Sequence, residues 1–287
     1  MQQHEILMLV DRAADEIVAR YVFPILGQQA AEAIRMAAKA KAYAGLDGDT
    51  IAARLTTDLQ RETGDLHLRA YFHPTGIPTG TATVDISPGI EGTEIFPDNI
   101  GYLAPNRFSP IERFAPEADA AMRALADTKA LIVDLRAAKG GSPTSVGYLC
   151  SFFFAPERPV HLNTLHWRDR PSEEFWTCVV PLVYRQPVYV LTSRTSFSGA
   201  EEFANNLKTL GRATLVGETT RGGAHPGARF PLNAWFELFI PVGRAENPIT
   251  KSNWEGTGVV PDVAIAADEA LSYALAACRS DIPAFNA

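Results

Sequence analysis

The sequence predicts an α/β fold that follows a small helical bundle, and three observations lead to this prediction. Continuous apolar runs typical of strands buried on both faces occur as KALIVDLR, PVYVLTS and RATLVGE. Helical patterns separate these runs, and such alternation implies a parallel sheet with right-handed crossovers. Before them, apolar residues recur at helical spacing up to about Gly64. Because 287 residues suffice for two domains, we expect a three-helix domain at 1–70 and a larger domain at 71–287.

The first domain is predicted to contain three short helices. The first helix carries apolar residues at helical spacing and ends at Pro24. The second, at 28–42, is rich in Ala, Glu, Lys and Met, which favour helices. The turn GLDGD places Asp49 as the N-cap of the third helix. The apolar face of that helix consists of Ile51, Leu55 and Leu59.

The composition changes from about Tyr71 onward, where the larger domain begins and Pro, Gly and β-forming residues become frequent. TATVDI alternates weakly and is predicted to be an edge strand. The segment PEADAAMRALADT is predicted to be a helix that leads into the buried run KALIVDLR. No internal repeat or low-complexity segment interrupts this pattern, which indicates one continuous α/β domain.

Composition and charge exclude several classes of function. Hydrophobic residues make up 46% and charged residues 21% of the chain, as in ordinary globular proteins. The formal charge of −7 argues against nucleic acid or an anionic membrane as a partner, since both attract basic surfaces. No apolar run reaches the roughly 18 residues of a membrane span. The start MQQHEILMLVDRAADE lacks the features of a leader, so we expect a cytoplasmic protein, or a secreted or periplasmic one if a leader has been removed.

Metal and cofactor sites are not expected. Cys150, Cys178 and Cys278 match no zinc or redox spacing and are predicted to be buried, reduced thiols. His161 and His166 lie five residues apart without a third ligand. The sequence also has no Walker or dinucleotide-binding glycine pattern.

A candidate nucleophile stands in PVYVLTSRTSFSGAEEFANNLKTLGRATLVGE. A buried strand ends at Thr192 and a helix closed by Gly211 follows, so Ser198 is placed at the strand-to-helix corner. The N–H groups and dipole of a helix N-terminus stabilise negative charge that develops there. The alternative is a capping box, in which Ser198 closes the helix end and Glu201 reaches back. Gly199 favours the catalytic interpretation, because a small residue lets a substrate carbonyl approach the backbone.

A pair of glycines in LIVDLRAAKGGS offers a partner for this serine. Gly140 and Gly141 follow the end of a buried strand, where backbone N–H groups can face a ligand, as an oxyanion hole requires. A tight turn with positive φ explains the same two glycines.

Candidate acid–base groups lie on both sides of this region. His67 in TGDLHLRAYF is a potential base, although a histidine between two leucines is also typical of a core. Glu255 in SNWEGTGVVPD is an acid among Trp, Gly and Val, and the alternative is a solvent-facing loop acid. His225 in RGGAHPG could line a cleft, or simply occupy the turn before Pro226.

Four motifs together resemble the C-terminal processing peptidase (tail-specific protease) family. They are, in order, DLRAAKGG, TSRTSFSGAEEFA, GRATLVGETTRGGAHPG and NWEGTGVVPD, and the similarity covers about 99–265. The branch that looks most similar contains the interphotoreceptor retinoid-binding protein modules and the tricorn core protease. The resemblance implies a catalytic domain with a crotonase-like fold of stacked ββα units, preceded by a small helical bundle.

The resemblance also implies roles for individual residues. Ser198 precedes Glu201 as the family's nucleophile precedes a Glu in a similar Ser-x-x-Glu. The lysine base of the processing peptidases has no counterpart, because its neighbourhood reads TTRGGAHP and offers Gly223. In tricorn-like members the base is a His, which His67 resembles, and Glu255 lies at a comparable distance after the nucleophile.

Two departures from the family pattern follow. Tricorn has a serine directly ahead of the base, where this chain has Leu66, so the orientation of His67 is left open. Many relatives carry a peptide-binding PDZ domain ahead of the catalytic core. The roughly 30 residues between His67 and Asn99 are too few for one.

The sequence therefore predicts a serine hydrolase that acts by acyl transfer on a peptide or small acyl substrate. Ser198, His67 and Glu255 would be catalytic, with Gly199 and Gly140 or Gly141 as oxyanion hole. Gly223 and His225 would contact the substrate.

An esterase, lactonase or cyclase would use the same chemistry. A carrier of apolar ligands is the alternative from another class, with a pocket lined by Phe152, Phe153, Phe154, Trp167 and Trp176, although a core or subunit interface explains these aromatic residues too. The sequence leaves a homo-oligomer open.

Overall fold

The structure, a computed structural model, describes residues 1–78 and 87–280. The chain divides into two compact units, and each unit is built from several segments. The first unit comprises Met1–Asp85, Leu165–Glu173 and His225–Ala245. The second unit comprises Ile86–Thr164, Glu174–Ala224 and Glu246–Ala287. The predicted mixture of helices and a largely parallel sheet is confirmed, whereas the predicted boundary at residue 70 stays a prediction.

The described residues form seven helices and twelve strands. The helices are α1 (Gln3–Arg20), α2 (Pro24–Lys39), α3 (Gly48–Thr63), α4 (Ile111–Ala124), α5 (Pro143–Ser151), α6 (Gly199–Thr209) and α7 (Ala270–Arg279). The strands are β1 (Arg69–Phe72), β2 (Ile90–Phe96), β3 (Ile100–Pro105), β4 (Ala130–Asp134), β5 (His161–Trp167), β6 (Glu173–Trp176), β7 (Val188–Thr192), β8 (Thr214–Gly217), β9 (Gly227–Pro231), β10 (Phe236–Pro241), β11 (Gly243–Glu246) and β12 (Val263–Ala264).

The first unit packs α1, α2 and α3 with a three-stranded antiparallel sheet of order β1-β10-β9. Apolar faces of the three helices and of β10 form one core, since a helix or sheet must bury its apolar face against another element. Arg168 closes the C-terminal end of α1, because its guanidinium donates to the carbonyls of Tyr21 at 2.6 Å and Val18 at 2.9 Å. These carbonyls have no partner within a helix.

The second unit is built on a six-stranded sheet of order β12-β8-β7-β4-β3-β2. β2 runs antiparallel to β3, and all the other neighbours are parallel. The three apolar runs of the sequence are the central strands β4, β7 and β8, and every residue of β4 and β7 is buried. Because parallel strands end at the same edge of a sheet, the segments that follow β4 and β7 lie close together.

Several local predictions need correction. The second helix begins at Pro24 rather than at residue 28, because proline at the first helical turn loses no hydrogen bond. Asp47, not Asp49, caps α3, since its carboxylate accepts the N–H of Thr50 at 2.8 Å. The helix predicted from Pro116 begins at Ile111.

Two further predictions concern the cysteines and TATVDI. Cys150 and Cys278 are buried as predicted, whereas Cys178 is exposed and its prediction was wrong. The apolar run around Cys178 is an irregular surface segment and not a buried strand. TATVDI lies outside the described residues. None of the helices in the described part of the chain is long and apolar enough to cross a bilayer.

Candidate active site

Ser198 lies at the corner between β7 and α6, as the sequence predicts. Its backbone angles are φ 59° and ψ −123°, a conformation that only glycine adopts without strain. Ser196 fixes the turn, since its hydroxyl donates to the Leu135 carbonyl at 2.8 Å and accepts the N–H of Ser193 at 3.0 Å. A sharp, strained strand-to-helix turn is a known way to expose a nucleophilic serine.

The glycine pair lies directly against this serine. Gly140 and Gly141 have φ values of 85° and 143°, as the alternative of a tight turn predicts, and their role as oxyanion hole stays a prediction. A Cβ on Gly140 would stand 2.4 Å from the Gly199 nitrogen and 2.8 Å from the Ser198 Cβ. A Cβ on Gly141 would stand 2.1 Å from the carbonyl oxygen of Phe108. Only glycine fits at either position, and the structure brings both glycines to the start of α6.

Glu201 ties the nucleophile to a neighbouring loop. Its fully buried carboxylate accepts the N–H of Ser198 at 2.8 Å and the hydroxyl of Thr220 at 2.6 Å. It also accepts the N–H groups of Gly222 at 2.6 Å and Gly223 at 2.9 Å. Burial raises the pKa of Glu201, and the four hydrogen bonds oppose that rise by favouring the charged form. Glu201 does cap α6 by accepting the N–H of Ser198, as considered from the sequence. That contact is one of the four hydrogen bonds that its carboxylate accepts.

The predicted residues Gly223 and Glu255 lie beside this loop. The Gly223 carbonyl accepts the indole N–H of Trp254 at 2.8 Å. With its N–H on Glu201, Gly223 has both backbone groups engaged inside the protein. Glu255, in the second unit, accepts the N–H of Ala224 at 2.5 Å through Oε2. This hydrogen bond holds the end of the 220–224 loop.

The two candidate histidines belong to the first unit, where one buried carboxylate joins them. Asp65 accepts the backbone N–H of His67 at 3.0 Å and lies 2.8 Å from Nδ1 of His225. The hydroxyl of Tyr21 donates to the same carboxylate at 3.1 Å. The ring of His67 stacks on Phe239 with centroids 6.0 Å apart. Asp65 was not among the predicted site residues, although an aspartate often accepts the N–H two residues later in an Asx turn.

The structure therefore places the predicted residues in two groups. The second unit holds Ser198, Gly199, Gly140, Gly141, Gly223 and Glu255. The first unit holds His67 and His225. The catalytic and binding roles of all eight stay predictions.

A buried polar cluster lies one residue beyond Glu201. Glu202 is 5% exposed and Asn163 and Asn206 are each 1% exposed. Within the described residues, Glu202 Oε1, both amide atoms of Asn163 and Nδ2 of Asn206 have no hydrogen-bond partner. Burial raises the pKa of Glu202 to about 8, and the nearby Asn163 amide opposes that rise. Burial therefore favours the neutral form of Glu202, and sequence pattern gave no sign of this.

A cavity of about 710 Å³ opens in the second unit at the edge where β3, β4 and β7 end. Its wall includes Tyr102, Asp134, Arg136 and the segment 193–195 that leads to Ser198. The Tyr102 hydroxyl donates to Asp134 at 2.9 Å, and Arg136 forms an ion pair with the same carboxylate at 2.6 Å. Burial, with the Asp134 charge beside it, raises the pKa of Tyr102 to about 12.

The aromatic residues considered for a carrier pocket pack mainly as core. Phe152 and Phe153 are buried. The ring of Phe153 lies 6.0 Å from that of Phe203 and 6.4 Å from that of Tyr184. Trp176 is half exposed and stacks on His161 at 4.5 Å. Core packing therefore explains Phe152 and Phe153 and does not account for the exposed Trp176.

Comparison with known sequences identifies a family and a relative. The profile of peptidase family S41 matches residues 99–265, more than half of the chain. The carboxy-terminal processing protease CtpB of Bacillus subtilis (strain 168) is 26% identical over 170 residues, which are 58% of this chain and 34% of that protein. The chain thus aligns with about a third of the length of this curated relative.

Two solved structures share the fold. A lipoprotein from Streptococcus agalactiae superposes with a TM-score of 0.65 at 16% identity, covering 96% of this chain and 97% of that one. The tricorn protease superposes with a TM-score of 0.60 at 14% identity, covering 96% of this chain and 36% of that one.

Proposed function

Because the chain belongs to peptidase family S41, we propose that it is a serine peptidase with Ser198 as its nucleophile. This membership confirms the resemblance that four sequence motifs predicted. One observation carries the assignment of the nucleophile. A serine with φ 59° stands at the N-terminus of α6, and a glycine pair packs against it so closely that no side chain would fit. A serine that served only as a helix cap would need neither feature.

The reaction proposed is acyl transfer. His67 takes the proton of Ser198 Oγ as that oxygen bonds to the carbonyl carbon of the substrate. The resulting oxyanion accepts hydrogen bonds from the N–H of Gly199 and of Gly140 or Gly141. The C–N bond then breaks, and the leaving amine takes the proton from His67. Water hydrolyses the acyl-enzyme by the reverse sequence, with Glu255 orienting His67 throughout.

The local structure supports the electrostatic part of this scheme. The N-terminus of α6 carries a partial positive charge beside Ser198 Oγ. Gly140 and Gly199 approach each other closely within the second unit, and a pair of N–H donors to one oxyanion requires such an approach. A single oxyanion donor contributes about 3 to 4 kcal/mol to the transition state.

The finer features of the fold belong to the same proposal. We infer a crotonase-like arrangement of stacked ββα units and no PDZ domain between His67 and Asn99. The parallel order of β3, β4, β7 and β8 supports the first feature. The substrate proposed is a peptide, in keeping with membership of a peptidase family.

Labelling with a fluorophosphonate probe tests the nucleophile. We expect one adduct by intact mass on the wild type, none on Ser198→Ala, and slower labelling of His67→Ala. Ser252→Ala removes an exposed serine of the same unit and should label like the wild type. A folded wild-type protein that takes no adduct would overturn the proposal. Incubation with a peptide library, read by mass spectrometry, then separates peptide cleavage from ester hydrolysis.

A further inference from the structure

Glu201 joins the candidate nucleophile to a neighbouring loop within the second unit. Its side chain is fully buried, and each of its two oxygens accepts two hydrogen bonds. Oε2 accepts the N–H groups of Ser198 at 2.8 Å and Gly223 at 2.9 Å. Oε1 accepts the hydroxyl of Thr220 and the N–H of Gly222, both at 2.6 Å. One side chain therefore sets how the serine lies relative to the loop.

The nature of the four donors determines which side chain can hold them. A backbone N–H can only donate, so each of the three N–H groups needs an acceptor. An ionised carboxylate only accepts, and each of its oxygens can take two donors. A glutamine would turn its NH₂ group toward the donors of one oxygen. In either orientation of that amide, at least one backbone N–H would then face another donor.

A second segment of the chain holds the same loop. The N–H of Thr220 donates to the Val259 carbonyl at 3.2 Å, and the Thr220 hydroxyl accepts the N–H of Val259 at 2.7 Å. The Gly222 carbonyl accepts the N–H of Gly256 at 3.1 Å. These bonds connect the motif NWEGTGVVPD to the loop. The restraint from that motif therefore reaches the nucleophile through the loop and Glu201.

The backbone of Ser198 requires such a restraint. Its φ of 59° is costly for a serine, and a costly conformation persists only where the surrounding contacts determine it. The first N–H groups of a helix have no acceptor within the helix. Glu201 accepts the N–H of Ser198 and so ties this backbone to the loop. Because Oγ is carried by this backbone, a change in φ would displace the attacking atom.

We propose that Glu201 is a positioning residue of the peptidase, which holds the backbone of Ser198 and the loop at 220–223 in one fixed arrangement. Glu201 does not touch the substrate, and no proton of the acyl transfer passes through it. The helix cap considered from the sequence is one part of this role. The inference rests on the proposed function, because the reactivity of Ser198 is the property that Glu201 supports.

The kinetics of fluorophosphonate labelling separate positioning from folding. A purely structural loss lowers the fraction of protein that takes the adduct and leaves the rate constant of the folded molecules unchanged. A displaced nucleophile lowers the maximal rate constant and leaves the probe concentration for half-maximal rate unchanged. Because displacing a reacting group by about 1 Å costs on the order of 100-fold in rate, we expect the maximal rate constant of Glu201→Gln to fall by about 10- to 100-fold.

Two matched pairs of variants control for stability. Glu202→Gln makes the same change at the next residue of α6 and should keep the wild-type rate constant. Thr220→Val and Thr128→Val each remove the hydroxyl of a buried threonine. Thr128 precedes β4, at the sheet edge opposite the nucleophile, and its hydroxyl donates to the Leu125 carbonyl at 2.7 Å. Both threonine variants should lose stability, and only Thr220→Val should lower the maximal rate constant.

The labelling results can overturn the proposal in two ways. A folded Glu201→Gln variant with the wild-type maximal rate constant would show that Ser198 needs no such restraint. An equal fall of this rate constant in Glu201→Gln and Glu202→Gln would make the effect a general response of α6 to the loss of a buried acid.

Amide hydrogen exchange tests the contacts without the activity. The N–H groups of Gly222 and Gly223 are buried and donate to Glu201, so in the wild type they should exchange slowly. In Glu201→Gln they should exchange faster, while the amides of β4 stay protected. Fast exchange at both glycines of the wild type would overturn the proposal, even if the variant does not fold. Protected glycines in a wild type that takes no adduct would instead overturn the proposed function.

Discussion

Glu202 offers a direct test of how the second unit tolerates a buried acid. It follows Glu201 in the first turn of α6, lies against Asn163, and has one carboxyl oxygen without a partner among the described residues. Burial raises its pKa to about 8 from an ordinary 4.5. Replacing it by glutamine keeps the size and removes the titration.

The sign and size of the effect follow from proton linkage. Between pH 4.5 and about 8 the folded protein holds a proton on Glu202 that the unfolded chain releases. This raised pKa therefore makes stability fall as pH rises through that window and level off above it. At about 1.4 kcal/mol per pH unit, the loss reaches about 3 kcal/mol at pH 7 and about 5 kcal/mol above pH 8. Glu202→Gln should be as stable as the wild type near pH 4 and more stable by these amounts at higher pH.

Urea denaturation at pH 4, 7 and 8.5 measures this difference. Both proteins should unfold with the same m value, so the midpoints report stability alone. Other acids titrate in both proteins, and their contributions cancel in the comparison. Glu201→Gln is the contrasting control, because its carboxylate already accepts four hydrogen bonds and the change should destabilise the protein. Wild-type and Glu202→Gln stabilities that stay parallel across this range would refute the reasoning.

Three further predictions test the contacts around the site. Gly140→Ala places a Cβ 2.4 Å from the Gly199 nitrogen, so fluorophosphonate labelling should slow at least about 100-fold, and unchanged labelling would contradict the oxyanion assignment. Thr220→Val removes a hydrogen bond to the buried Glu201, and urea denaturation should show a loss of about 1 to 3 kcal/mol with slower labelling. Arg168→Ala exposes two carbonyls at the end of α1 and should lower stability by about 1 to 3 kcal/mol while the labelling rate of Ser198 stays the same.

The second unit was the part of the fold that sequence could predict best. Buried parallel strands read as continuous apolar runs, and KALIVDLR, PVYVLTS and RATLVGE each became a central strand. Because a strand end and a helix start fix a corner, the position of Ser198 also followed from local pattern. Its φ of 59° did not, since serine is a residue that ordinarily avoids this conformation.

Contacts that depend on distant segments could not be predicted. The four donors to Glu201 come from two stretches of chain, and spacing alone suggested only the helix cap. Asp65 and His225 are 160 residues apart, and no periodicity connects them. Asp47 caps α3 where Asp49 was predicted. Both stand in GLDGD, and only backbone geometry decides between two aspartates so close in sequence.

The left-handed backbone at Ser198 has an evolutionary consequence. Glycine reaches a φ of 59° without steric cost, so Ser198→Gly would relieve about 1 to 3 kcal/mol of strain. The same mutation removes the nucleophile. In a duplicated copy under no selection for chemistry, neutral drift would therefore favour loss of the serine, because the inactive protein is the more stable one. A serine kept at this corner is thus a sign that selection still acts on the reaction.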